Sequence, residues 1–364
     1  MARARFAVAG SRARVRRIAG PTGVAIVCMM ALLIAGPSCA EVRLAGSSWI
    51  VDAPTKIADA LGFFNQGLGT DDPDRVTVFY TDSGRTSLDA LRRGETTFAL
   101  AAPSPVAADV LRRADLAESG DDIVVLASVG LSNQSHDIVA SRRRGIAGPA
   151  DLAGRRIAVV EGSSAHYTWE AFTAAHGIAT GSVELEDIPP RHQAAALAAG
   201  EVDAVVSWEP YLARMVAALG DDAVRFSTRQ VHTANWLLLT TRRVADERPD
   251  WVDRVLLGYL QAIAFREADP MAADRLHADV AGLDDETLAE LKANVVWRVD
   301  LGWSVLANLE GQLAWSGREA GLRELPPPAR YLDARGLFRV APERVVVPRL
   351  LLEPTAAAGE AVRP

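Results

Sequence analysis

Beyond residue 40, short apolar runs alternate with stretches whose apolar positions recur at helical spacing. Strands are predicted at 42–46, 76–80 and 98–102, each followed by a helix, at 55–61, 87–93 and 105–113. Such alternation predicts a mostly parallel sheet with helices on its faces. Residues 123–129 add a strand, and 137–141 follow closely enough to be a crossing segment. A second series then begins at Asp151, with strands at 156–160, 183–188 and 204–207 and helices at 165–176 and 191–199. Two series imply two lobes.

A strand at 237–241 precedes a helix at 249–266 that carries Val252, Val255, Leu256, Tyr259, Leu260 and Ile263 at helical spacing, and both read as a return to the first lobe. The chain from there to about residue 315 reads as helical. Asp284-Asp285-Glu286 stands as an N-terminal signal ahead of Leu288, Leu291, Val295 and Val296. From Pro326 onward three consecutive prolines, then Pro342, Pro348 and Pro354, predict an irregular segment wrapping the surface, and 355–364 reads as a disordered tail.

The first 40 residues change the picture. They carry six arginines and no acid ahead of a twelve-residue apolar run at 24–35. That run is shorter than the ~20 residues a spanning helix needs, so 1–40 reads as a secretory signal peptide. Cleavage after Ala40 is the favoured reading. Lipidation of Cys39 is the alternative, although Gly36-Pro37-Ser38 makes a poor lipobox. Cys28 lies inside the signal, so no internal disulfide is open to the exported chain, and zinc-thiolate and cysteine-nucleophile chemistry are excluded.

The charge shifts as well. The whole chain carries −7, but loss of six arginines leaves 33 basic against 46 acidic residues, a balance of −13. Nucleic-acid binding needs a basic footprint and is not expected. With 49% of residues apolar, the chain can build the cores of two lobes without disulfides.

Several segments resemble the nitrate/sulfonate/taurine (NitT/TauT-like) family of periplasmic solute-binding proteins of ABC transporters. Val42-Arg43-Leu44 through Trp49, Pro54 and Ile57 to Phe64 is similar to the family's opening, and Ser83-Gly84, Ala90-Leu91 and Gly94-Glu95 to its second unit. Gly145-Ile146, Asp151 to Val159 and Gly162-Ser163-Ser164 resemble its entry into the second lobe, and Gly200 to Ala204 with Trp208-Glu209-Pro210 completes the series. The resemblance covers roughly 42–270. It implies a type II periplasmic binding protein fold: two α/β lobes with mostly parallel sheets, joined by two crossing strands, with the ligand between them. Lobe one would be 41–134 and 237–340, lobe two 137–233, with hinges near Ser135 and Ala234.

In open α/β sheets ligands bind beyond the carboxyl ends of strands, where loops enter helices. That rule selects Ser47, Ser48 and Trp49, then Ser83, then Ser104 in lobe one, and Gly162, Ser163, Ser164 and His166, then Trp208 and Glu209, in lobe two. Gly162-Ser163-Ser164 suits an anion, because glycine admits close approach, hydroxyls donate and the following helix presents its positive end; against this, one serine could be only a helix N-cap. Trp49 reads as an aromatic platform, or as a packing residue beneath its loop.

Glu209 could pair with a ligand ammonium, or serve only the start of the helix after it. Asp82 and Asp137 are weaker candidates, better read as loop caps. His136, His166, His192 and His232 fit no metal-ligand spacing. His136 and His166 could line the cleft as donors or simply face solvent. Ser163 and His166 lack the Gly-x-Ser-x-Gly turn of a hydrolase.

The expected function is therefore that of an extracytoplasmic, periplasmic binding component that closes on a small anionic or zwitterionic organic solute. It needs no cofactor or metal, works with a permease and an ATPase, and acts as a monomer. The alternatives are a pyrimidine-precursor binding or biosynthetic protein of the same fold, against which the missing cysteines argue, and a ligand-binding sensor domain.

Overall fold

A computed structural model describes residues 41–47, 49–113, 122–281, 288–289 and 292–347. The strands are β1 (Val42–Ser47), β2 (Val76–Thr81), β3 (Phe98–Ala101), β4 (Ile123–Ser132), β5 (His136–Ser141), β6 (Arg156–Val159), β7 (Glu184–Asp187), β8 (Ala204–Trp208), β9 (Ala223–Ser227), β10 (Ala234–Thr241) and β11 (Val295–Val296). The helices are α1 (Ala53–Ala60), α2 (Gly84–Arg92), α3 (Pro103–Arg112), α4 (Ser164–His176), α5 (Pro190–Ala199), α6 (Tyr211–Leu219), α7 (Arg242–Glu247), α8 (Pro249–Ala268), α9 (Pro270–Ala281), α10 (Trp303–Glu319) and α11 (Arg335–Val340).

Two sheets form, in the orders β11-β4-β10-β3-β1-β2 and β7-β6-β8-β5-β9. Each keeps a parallel core of three strands, β3-β1-β2 in the first and β7-β6-β8 in the second. Antiparallel strands join where the chain changes sheet. β4 and β10 pair antiparallel in the first sheet, and β5 pairs antiparallel with β8 and β9 in the second. The chain thus leaves the first sheet after Ser132, enters the second at His136, and returns between Ser227 and Ala234.

The core follows the apolar pattern. β1, β3, β4 and β10 are almost wholly buried, and α8 buries Trp251, Val252, Val255, Leu256, Tyr259 and Ile263 against the first sheet's helices. Two expectations need correction. Val295 and Val296, read as helical, pair with Ser132 and Leu131 of β4 instead, as suits β-branched residues beside an open strand edge.

The chain after Pro326 is also more than a surface wrap. Tyr331, Leu332, Leu337, Ala341 and Val347 are buried, Leu332 bridges to Val125, and Arg335 pairs with Asp333 and Asp246. Prolines bar regular pairing there, but the apolar residues between them still need a core. Residues 1–40, Asp284 to Glu286, Leu291 and the predicted tail at 355–364 lie outside the described residues.

Candidate binding site between the two sheets

A cavity of about 20 Å³ lies where strand ends of both sheets deliver their loops. Ser47 and Trp49 line it after β1, Asp82, Ser83, Gly84 and Arg85 at the start of α2, and Ala102 and Pro105 at α3. The other wall is His136 at the head of β5, Ser163 and Ser164 at the start of α4, and Trp208 at the end of β8, with Trp236 of β10 completing the lining.

Each hydroxyl has a defined partner. Ser163 is the N-cap of α4 and accepts the N–H groups of Ala165 at 3.1 Å and His166 at 3.5 Å. Ser47 Oγ accepts Trp49 N–H at 3.1 Å. A hydroxyl that accepts a backbone amide keeps its own proton to give, so Ser47 and Ser163 retain donors on opposite walls. Ser83 caps α2 by accepting Thr86 N–H at 3.2 Å, but its proton is spent: Thr86 Oγ1 donates to Asp82 at 3.1 Å and accepts from Ser83 at 2.8 Å.

His136 is fully buried, and burial holds its imidazole well below the ordinary histidine range, with the neighbouring His232 pushing the same way. The neutral ring sits between Ser135 Oγ at Nδ1 and Ser164 Oγ at Nε2, both at 2.7 Å.

The apolar part of the wall is aromatic. Trp49 meets Trp236 edge-on at 4.8 Å and His136 at 5.5 Å, and Trp208 meets His136 at 5.9 Å. Trp49 is buried, and its indole N–H has no acceptor among the described residues. Gly84 brings α2 in close: a Cβ there would stand 2.8 Å from Ala101 Cα and 3.1 Å from the Trp236 ring. Gly162 turns into α4 at φ +69°, a left-handed conformation that disfavours side chains.

Two charged contacts cross between the walls. Arg85 donates to the Glu161 carbonyl at 2.8 Å and lies 3.9 Å from Asp187, while Arg191 pairs with Asp82 at 3.1 Å.

Of the residues selected from the sequence, Ser47, Trp49, Ser83, Ser163, Ser164 and Trp208 come together at this cavity. Ser48 lies outside the described residues. Four others do not line the cavity. The buried Ser104 hydroxyl donates to Gln312 of α10. Gly162 N–H donates to His166 Nδ1 at 3.3 Å, and the half-buried His166 ring packs edge-on against Trp315 at 5.1 Å, away from the cavity lining.

Glu209 is buried and turned away. It accepts Arg225 at 3.0 Å and Ala213 N–H at 3.0 Å, the helix-start role set out above. Its pKa is raised, because burial outweighs the nearby guanidinium. Asp137 caps the loop after β9, accepting Thr228 N–H at 3.0 Å, and also joins Glu209 on Arg225, at 2.6 Å. Trp236 and Arg85 were not selected from the sequence at all. Trp236 had one signal, a large aromatic just past the expected hinge at Ala234; Arg85 had none that separates it from other exposed arginines.

Two α/β halves, a chain that passes between them twice and a cavity lined from both are the architecture of the periplasmic binding protein fold. The chain belongs to the NMT1/THI5-like family, whose model matches residues 53–273. A putative aliphatic sulfonates-binding protein of Bacillus subtilis is 26% identical over 66% of this chain and 70% of its own length. The taurine-binding periplasmic protein of Escherichia coli is 30% identical over 43% of this chain and 45% of its own length. Among solved structures, the alkanesulfonate-binding protein SsuA of Xanthomonas axonopodis pv. citri, bound to MOPS, superposes with a TM-score of 0.66 at 20% identity, over 81% of this chain and 98% of that one. The nitrate-binding protein NrtA of Synechocystis superposes at 0.65 with 15% identity, over 87% of this chain and 91% of that one. These last two likenesses are of fold.

Proposed function

We propose that this chain is the extracytoplasmic solute-binding component of an ABC importer, and that it takes a small organic anion in the cavity between the two sheets. The observation that carries the reading is the polarity of the wall. Ser47 and Ser163 accept backbone amides and so offer protons from opposite sides, α4 turns its positive end to the same place, and Trp49 N–H lacks an acceptor among the described residues. An anionic head meets those donors, and the three tryptophans cover an organic body.

The acids near the site are already partnered, Asp82 by Arg191 and Thr86, and Glu209 by Arg225. That favours an anion without an ammonium over a zwitterion. The names of the curated relatives, sulfonate- and taurine-binding, point to sulfonates first.

No covalent step is required. A cavity of about 20 Å³ has room for little more than one water, so the halves must part to admit a solute and close over it. Arg85 and Arg191 span the walls in the closed arrangement, and a permease with its ATPase would read that arrangement against the open one.

A thermal-shift screen of the exported chain against ethanesulfonate, butanesulfonate, taurine, benzoate and their uncharged methyl sulfone or amide counterparts tests the reading. At a hundredfold excess over Kd a ligand adds about 2.7 kcal/mol of stability. Anions should raise the melting temperature and neutral counterparts should not. A shift by neutral compounds alone, or by no anion in the panel, contradicts the proposal.

A further inference from the structure

We infer that His136 is a positioning residue of this site: as its Nε2–H tautomer it donates to Ser164 Oγ, and so turns the Ser164 proton into the cavity for an anionic ligand to accept. The inference rests on the anion-binding reading above and adds to it a third hydroxyl donor and the group that aims it.

A neutral imidazole has one N–H and one bare nitrogen, so with a serine hydroxyl 2.7 Å from each nitrogen only two arrangements are open. In the first, Ser135 O–H donates to Nδ1 and Nε2–H donates to Ser164 Oγ, which leaves the Ser164 proton free. In the second, Nδ1–H donates to Ser135 Oγ and Ser164 O–H is drawn onto Nε2, which leaves lone pairs facing the cavity. The second arrangement repels an anion. An anion bound against Ser163 and Ser164 therefore selects the first, and the ring is held for that task on every side. Trp49 and Trp208 meet it edge-on, His232 stands 5.7 Å away, and its own carbonyl accepts from Thr228.

The placement matters as much as the chemistry. His136 is the first residue of β5, immediately after the chain crosses from the first sheet, and Ser164 is the first residue of α4 in the second half. The hydrogen bond thus ties the crossing segment to the helix start that faces the ligand. A hydroxyl aimed in advance loses less rotational freedom on binding than a free one.

The test uses the exported chain with specific ¹⁵N-histidine labelling and the tightest binder among ethanesulfonate, butanesulfonate and benzoate as measured by calorimetry. In the anion-bound protein the His136 resonances should show a protonated, pyrrole-type Nε2 and a bare, pyridine-type Nδ1. His136→Gln keeps an amide donor near the Nε2 position and should bind within about threefold of wild type, whereas His136→Met, of similar bulk without a donor, should weaken binding about tenfold. Adding Ser164→Ala to His136→Met should then cost little more, since the two act as one unit.

A purely structural role would lower the melting temperature of both His136 variants alike and leave Ser164→Ala additive. An Nδ1–H tautomer in protein that binds the anion, or equal affinities for the Gln and Met variants, overturns this inference alone. Failure of wild type to bind any of the three anions overturns the site reading and this inference with it.

Discussion

Buried acids lie behind both walls of the cavity, one behind the first and two behind the second, and they are held in different ways. Beneath the Ser47–Trp49 loop, Asp52 accepts Ser47 N–H at 2.6 Å and the Thr55 hydroxyl, with the buried Lys56 close by. Burial pushes Asp52 up to about 6 and Lys56 down to about 8. Beneath Trp208 and His136, by contrast, Asp137 and Glu209 share one guanidinium, that of Arg225, at 2.6 and 3.0 Å. The first wall is fixed by hydrogen bonds around an acid that can surrender its charge. The second is fixed by an ion triad that cannot lose its cation without stranding two carboxylates. The Ser47 and Trp49 side can thus relieve its buried charge by taking up a proton, whereas the β5-β8-β9 side depends on the Arg225 guanidinium.

The sharpest way to break that contrast is to remove each cation in turn. Arg225→Met leaves two buried carboxylates unpaired and should cost ~3–5 kcal/mol in urea unfolding. Lys56→Met should cost about 1 kcal/mol or less, because Asp52 can take up a proton in compensation. Equal losses would show that the two walls are held alike.

Acid should separate the regions next. Burial pushes the His232 ring, in the return from β9 to β10, down to about 4 from an unfolded value of 6.5. The unfolded chain takes that proton first, so stability present above pH 6.5 is lost as the pH falls toward 4, by ~3 kcal/mol in the limit. Asp52 runs in the opposite sense: with a folded value of about 6 against 3.8, the folded state holds its proton more tightly, and acidification from 6 to 4 favours folding. Urea midpoints at pH 7, 5.5 and 4.5 should fall for wild type and fall less for His232→Gln. Asp52→Asn should steepen the fall.

Smaller effects come from the two glycines at the site. Gly84→Ala drives a Cβ to 2.8 Å from Ala101 backbone and should cost ~1–3 kcal/mol. At Gly162 nothing among the described residues stands within 4 Å of a new Cβ, so Gly162→Ala should cost only the strain of φ +69°, about 1 kcal/mol. The same denaturation measurements rank the pair.

Much of this was legible in the residues. Apolar runs and helix starts located the strands and helices that carry the site, and the rule of loops beyond strand ends picked Ser47, Trp49, Ser83, Ser163, Ser164 and Trp208. Side-chain direction was not legible. Glu209 stands beside Trp208 in sequence, yet the chain places one at the cavity and turns the other onto Arg225, a residue sixteen positions away on a strand, β9, that its short half-exposed pattern did not announce. Ser104 satisfies its hydroxyl on Gln312, 208 positions away. Trp49 was posed as either platform or packing residue; the structure shows the packing, with the ring buried against Trp236 and His136, and places the same residue on the cavity lining.

The central claim is that an anion sits between the two sheets and is held by hydroxyls from both. A crystal structure with a bound sulfonate tests it most directly. The account predicts sulfonate oxygens within hydrogen-bond distance of the Ser47, Ser163 and Ser164 hydroxyls, with Trp49, Trp208 and Trp236 around the organic body. A ligand bound elsewhere, or one whose charged end points away from the start of α4, would contradict it.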